Sequence, residues 1–184
     1  MPEAHHRYPN GKLLRGSEII KFINDWNTCE LCSVNVVSRE VGSVILYADK
    51  CISSELKRSI ESFRLLGVKE FESSTLLNEA ALPHGFPDTI KLPLAIWGML
   101  IRILWFSGYK KNVESYREFK GRIRKAYNYV NTFANDFYNI AVMGHGLTNM
   151  QLKKEMRRDN WRHIENHGGH DYWSFDRFEK KIHL

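Results

Sequence analysis

The chain has 184 residues, of which 43% are hydrophobic, 26% charged and 12% aromatic. That length suits one domain with a proper core, and the composition excludes a disordered chain, a collagen-like repeat and a disulfide mini-scaffold. Lys and Arg number 27 against 21 Asp and Glu, a formal net charge of +6. Such a balance favours anionic partners, whether phosphorylated metabolites, nucleic acid or a membrane surface, without choosing among them.

Three cysteines cannot all pair, and they read as reduced cytoplasmic thiols. The opening Met1-Pro2-Glu3-Ala4-His5-His6-Arg7 lacks the apolar core of a signal peptide. The longest apolar run, Leu92 to Phe106, contains Pro93 and Arg102. It falls short of the ~20 residues a spanning helix needs. The expectation is a soluble, cytoplasmic protein with no membrane partner.

Residues 1–16 are polar and aperiodic, and Ile19, Ile23 and Trp26 then mark a short amphipathic helix over Ser17 to Trp26. A connection over residues 28–43 leads to an extended segment from Val44 to Ile52. Ser53 and Ser54 follow as helix N-caps. Leu56, Ile60, Phe63 and Leu66 line the next helix, which Gly67 stops, and Val68 to Glu72 alternates like a strand. Residues 73–93 carry three prolines and read as irregular. Leu94 to Phe106 is a helix apolar nearly all round.

Ser115 to Glu118 is a capping box heading a long helix with Phe119, Ile123, Tyr127, Val130, Ala134 and Phe137 along its core stripe. Ile140 to Met143 is a continuously apolar strand of the kind buried in a sheet. Gly144-His145-Gly146 follows, then a second capping box over Thr148 to Gln151, and Tyr172 to Phe175 is a late aromatic strand. Alternating helices and short strands give an α/β class.

Two strand-to-helix junctions carry the chemistry. One places Arg58 in the first turn of a helix, and the other places His145 between two glycines directly off a strand. Ligands of open α/β sheets bind outside the carboxyl ends of strands, where helix N-termini offer N–H groups to anions. Taken singly, Arg58 is equally a solvated helix charge and His145 a structural histidine.

Together the junctions resemble a known family. Ser54-Glu55-Leu56-Lys57-Arg58 with Ser62 resembles the S-x-L-x-R-x-x-x-[TS] segment of the histidine phosphatase (phosphoglycerate mutase-like) superfamily. Leu77-Asn78-Glu79 resembles its acidic L-x-E element, Glu114-Ser115 with Arg122 its G-E-S…R helix start, and Met143-Gly144-His145-Gly146 its second histidine motif. Order and spacing agree over roughly residues 45–160, and Asn149 and Asn160-Trp161 resemble one bacterial branch.

The resemblance implies a three-layer α/β/α sandwich on a mostly parallel sheet, as one domain over residues 1–184 with about 73–114 inserted as a lid. It implies phosphoryl transfer through a phosphohistidine, with neither metal nor organic cofactor. The ligand would be a phosphorylated small molecule or inorganic phosphate. Arg58 would clamp the phosphoryl oxygens, His145 would donate to them, and Glu79 would protonate the leaving alkoxide and later activate water. The family's nucleophile lies in R-H-G, and its positional counterpart here is Ala4-His5-His6, which puts His5 at the nucleophile without the neighbouring Arg and Gly. The chain is then a shortened active enzyme, a degenerate member that binds without turnover, or a protein in which His5 and His6 belong to a tail.

Other features weigh less. Cys29-Glu30-Leu31-Cys32 and the trio His163, His167 and His170 have zinc-like spacings, but some 130 residues separate them and no second CxxC follows, so no metal site is expected. Lys153, Lys154, Arg157 and Arg158 on one helix, and Lys120, Arg122, Arg124 and Lys125 on another, form basic faces. Without a recognised nucleic-acid module these read as solvated faces or as a rim attracting an anionic substrate. Ile96, Trp97, Leu100, Leu104, Trp105 and Phe106 read as core or lid rather than a membrane-docking face.

Overall fold

The computed structural model describes residues 12–28, 39–169 and 173–180. Its central feature is a three-stranded parallel sheet in the order β3-β2-β5, built from β2 (Lys50–Ser54), β3 (Glu72–Ser74) and β5 (Ile140–Met143). Ile52 pairs with Glu72 on one side and with Val142 on the other, so β2 is covered along both edges and its last four residues are buried. Parallel pairing of this kind is what an α/β chain produces when helices connect successive strands. Elsewhere, β1 (Leu13–Arg15) pairs antiparallel with β4 (Lys91–Pro93), and β6 (Arg162–His167) with β7 (Phe175–Glu179).

The helices are α1 (Gly16–Thr28), α2 (Arg39–Leu46), α3 (Lys57–Leu65), α4 (Leu94–Phe106), α5 (Tyr116–Phe133) and α6 (Gly146–Arg158). Contacts divide the chain into two compact units. One contains β1, α1, residues 56–58 and residues 80–121; the other contains residues 39–55, 59–79 and 122–180.

In the first unit, Leu14, Ile19, Trp97 and Ile101 form a buried cluster, edged by Phe22, Leu82, Phe86 and Leu92. The Trp97 indole N–H donates to the Leu14 carbonyl at 2.7 Å, and the Trp105 indole N–H to the Glu114 carbonyl at 2.8 Å. Both tryptophans thus bury a large ring while satisfying their one polar atom. The face of α4 carrying Trp97, Ile101 and Trp105 is buried, while Ile96, Met99, Ile103 and Phe106 are exposed. No helix among the described residues is long and apolar enough to cross a membrane.

The capping box at the head of α5 forms as expected: the Ser115 N–H donates to Glu118 Oε2 at 2.7 Å, and the Glu118 N–H to Ser115 Oγ at 3.2 Å. Hydrogen bonds from Ser115, supported by the Lys110 ammonium, hold the Glu118 carboxyl at about 2. A carboxyl depressed on folding stabilises the native state above the ordinary glutamate range, and that contribution is lost as the pH falls toward about 2. Glu118→Gln should therefore flatten the loss of helicity on acid titration followed by far-UV circular dichroism, because Gln keeps the cap without the titrating proton.

Gly67 ends α3 at φ 79°, with the Val68 N–H on the Phe63 carbonyl and the Gly67 N–H on that of Arg64, both at 3.0 Å. This is the left-handed closure that favours glycine. It also corrects the strand expected over Val68 to Glu72. Val68 is spent on the helix stop, and the strand starts at Glu72, where β2 offers pairing partners.

Further corrections share that cause. Val44 to Leu46 belong to α2 rather than to a strand, and β2 begins at Lys50, opposite Ile140. Ser53 and Ser54 are not N-caps but the last residues of β2. β5 has the expected bounds yet is half-buried, because it ends the strand order among the described residues. The aperiodic opening contains β1, and the irregular stretch contains a 3-10 turn (Thr75–Leu77) and β4. The late strand runs from Phe175 to Glu179, while Tyr172 lies outside the described residues, and its partner β6 had no sequence signal of its own.

Candidate active site

β5 ends at Met143 and α6 begins at Gly146, with His145 as its N-cap at φ −133°, ψ 168°. Extended dihedrals are the usual ones for an N-cap, but the His145 ring makes no capping bond to α6. Instead its Nε2 lies 2.6 Å from Ser54 Oγ, at the end of β2, and 3.2 Å from Ser59 Oγ, in the first turn of α3. All three side chains are buried, with His145 7% exposed, Ser59 3% and Ser54 0%. Two adjacent parallel strands thus bring a histidine and two hydroxyls together at their carboxyl ends, where α/β sheets hold ligands.

Gly144 leaves room for the Asn149 side chain against the turn leading to His145. A Cβ on Gly144 would lie 2.3 Å from Asn149 Oδ1, so any side chain there would push Asn149 away. Asn149 itself donates its N–H to the His145 carbonyl at 2.7 Å, in the first turn of α6.

Glu79 comes to the same helix terminus. Its carboxylate accepts from the Leu147 N–H at 3.3 Å, the Thr148 N–H at 3.2 Å and the Thr148 hydroxyl at 3.3 Å. A carboxylate on the free amides of a first turn satisfies donors that have no intrahelical acceptor and meets the positive end of the helix dipole. This corrects the capping box expected over Thr148 to Gln151. Thr148 lies inside the helix, its hydroxyl donates to the Asn78 carbonyl at 2.8 Å, and the acid that caps α6 arrives from 69 residues away in sequence.

Arg122, on α5, holds the loop that carries Glu79. Its Nη1 donates to the Leu76 carbonyl at 2.8 Å and to the Asn78 carbonyl at 2.9 Å, while Asn78 Oδ1 accepts from the Glu55 N–H at 2.9 Å. Arg122→Met should release this loop and take the side-chain donor from the Leu76 carbonyl, at a cost of about 1–3 kcal/mol if that carbonyl is left buried, while the Asn78 carbonyl keeps the Thr148 hydroxyl. Urea unfolding measures that cost, and any activity assigned to Glu79 should fall along with it.

The expected site residues are thus distributed as follows. Glu79 and His145 meet at the start of α6, through the amides of Leu147 and Thr148 and the turn before them. Arg58 is the second residue of α3, half-buried and directly before Ser59. His5, with Ala4, His6 and Arg7, lies outside the described residues, as do Cys29, Cys32 and His170. His163 Nε2 contacts Asp176 Oδ1 at 2.9 Å and its ring packs on Phe178, while His167 stacks on Phe175. No three His, Cys, Asp or Glu side chains are grouped to hold a metal among the described residues.

Sequence reasoning missed Ser54 and Ser59 as histidine partners and Thr148 as a partner of Glu79. The Ser-rich start of the Arg58 segment was the available signal, but a serine beside a helix start reads locally as a cap. Around Asn160-Trp161, the Trp161 indole donates to the Tyr127 hydroxyl at 3.1 Å. Burial and the hydrogen bond to Asp159 push the Tyr127 phenol up to about 12.

The fold these elements define is α/β of the phosphoglycerate mutase-like type, built on a parallel sheet. Two solved structures carry this likeness. The open reading frame Rv3214 of Mycobacterium tuberculosis superposes with a TM-score of 0.54 at 16% identity, covering 70% of this chain and 67% of that one. A candidate alpha-ribazole-5'-P phosphatase from Escherichia coli K-12 gives 0.53 at 15% identity, over 81% of this chain and 77% of that one. No protein-family model matches the sequence, and no curated protein matches it.

Proposed function

We propose that this protein is a phosphomonoester hydrolase or phosphoryl-transfer enzyme working through a phosphohistidine. The observation that carries the reading is the junction at His145: a buried imidazole at a strand end, approached by Ser54 and Ser59 from the Arg58 segment, with the Glu79 carboxylate on the helix that His145 starts. Three stretches selected in sequence by one family pattern therefore bear on a single strand-to-helix turn. The likeness in fold to a candidate phosphatase supports the same class, with a phosphorylated small molecule as substrate.

In this reading a histidine nitrogen attacks phosphorus in line while the bond to the leaving oxygen breaks. His5 takes that role by its position in the pattern. Arg58 neutralises the phosphoryl oxygens, His145 donates to them as charge builds, and Glu79 gives its proton to the departing alkoxide. Water then attacks the phosphohistidine, its proton passing to Glu79, and inorganic phosphate leaves.

A second reading is a phospho-ligand binding module without turnover. It is favoured by the engagement of Glu79 with the Leu147 and Thr148 amides, which gives that carboxylate a structural task, and by Ala4 and His6 where the pattern has Arg and Gly. Turnover of an aryl phosphate, inhibited by vanadate and passing through an acid-labile phosphohistidine, supports the enzyme. Phosphate binding without a phosphohistidine supports the binding module.

A further inference from the structure

We propose that Ser54 and Ser59 are positioning residues for His145, which claim Nε2 as a hydrogen-bond acceptor and hold the neutral ring as the Nδ1–H tautomer. The inference deepens the proposed function by naming which ring edge exchanges a proton with a bound phosphoryl group.

Ser54 Oγ and Nε2 are 2.6 Å apart, a hydroxyl against a ring nitrogen that donates or accepts according to the tautomer. A buried hydroxyl needs an acceptor for its proton, and the Nε2 lone pair offers one to Ser54. Ser59 Oγ, at 3.2 Å, approaches the same nitrogen from another element. A neutral imidazole has one N–H and one lone pair, and the bond made by one nitrogen decides the state of the other. With Nε2 accepting, the proton sits on Nδ1.

The hydroxyls add no charge, so they orient the ring without favouring its cation as a carboxylate would. They are also firmly placed. Ser54 ends a strand paired on both sides, Ser59 sits in a helical turn, and both are buried. Ser59 directly follows Arg58, so the turn that would present the guanidinium also sets the histidine tautomer.

The test is long-range 1H–15N NMR of the full chain labelled at histidine, recorded above the ring's titration range, with the His145 signals assigned by their loss in His145→Gln. Wild type is expected to show a protonated Nδ1 and a bare Nε2. The Ser54→Ala/Ser59→Ala double variant should lose that preference and Ser54→Thr should keep it, with Ser59→Ala alone available if the double variant does not fold. Aryl phosphate turnover should fall about tenfold in kcat in Ser54→Ala, with KM little changed, and recover in Ser54→Thr. A protonated Nε2 in wild type, or a tautomer unmoved by loss of both hydroxyls, overturns the inference even where turnover stands. Absent turnover with the expected tautomer instead counts against the enzyme reading and leaves the positioning role supported.

Discussion

His145→Ala is expected to reduce aryl phosphate turnover by about a hundredfold to ten-thousandfold, the range for a positioned proton donor or an oxyanion partner. The ring sits at the end of β5, 7% exposed and held by two buried hydroxyls. Removing the ring takes the Nε2 contact from both Ser54 and Ser59, so stability should fall by about 1–3 kcal/mol. The folded variant remains measurable by circular dichroism, which separates lost chemistry from lost structure. Turnover within threefold of wild type in a folded His145→Ala protein would remove His145 from the mechanism.

Trp97→Ala should destabilise the first unit by about 3–5 kcal/mol, the usual cost of truncating a buried tryptophan. Trp97 is fully buried among Leu14, Ile19 and Ile101, with the Phe86 ring tilted against it at a ring-centroid distance of 5.2 Å. Truncation opens a cavity that those side chains cannot fill and leaves the Leu14 carbonyl without its indole donor. Trp97→Phe keeps most of the volume and loses the hydrogen bond, so its cost should be nearer 1–2 kcal/mol. Denaturant midpoints of the two variants distinguish packing from hydrogen bonding, and equal losses would contradict the cavity argument.

Elements whose cause is local were legible in the sequence. The reciprocal Ser115–Glu118 box begins α5, and Gly67 ends α3 by adopting a positive φ. α4 occupies the whole apolar stretch from Leu94 to Phe106, and β5 the four residues from Ile140 to Met143. Glu79 and His145, which meet at the start of α6, each sit in a short pattern with recognisable spacing, as does Arg58.

Elements whose cause is a distant partner were not. Val44 to Leu46 have strand-like side chains yet form a helix turn, while the neighbouring strand starts only where Ile140 and Ala141 face Lys50 and Cys51. β3 lies later than its alternation suggested, because β2 dictates the register. Ser54 carries the cap signature and serves a buried histidine 91 residues away, and α6 is capped by a glutamate from another loop.

By itself, then, the amino-acid order determined the α/β class, the Ser115–Glu118 cap and the Gly67 stop, and it singled out Arg58, Glu79 and His145 as candidates for a phosphate chemistry. Tertiary structure alone decided which strands adjoin, which hydroxyls meet the His145 ring and what occupies the start of α6. The division follows from range. Caps, stops and apolar runs act within a turn or two of chain, whereas sheet register and polar convergence depend on groups brought together only once the chain has folded.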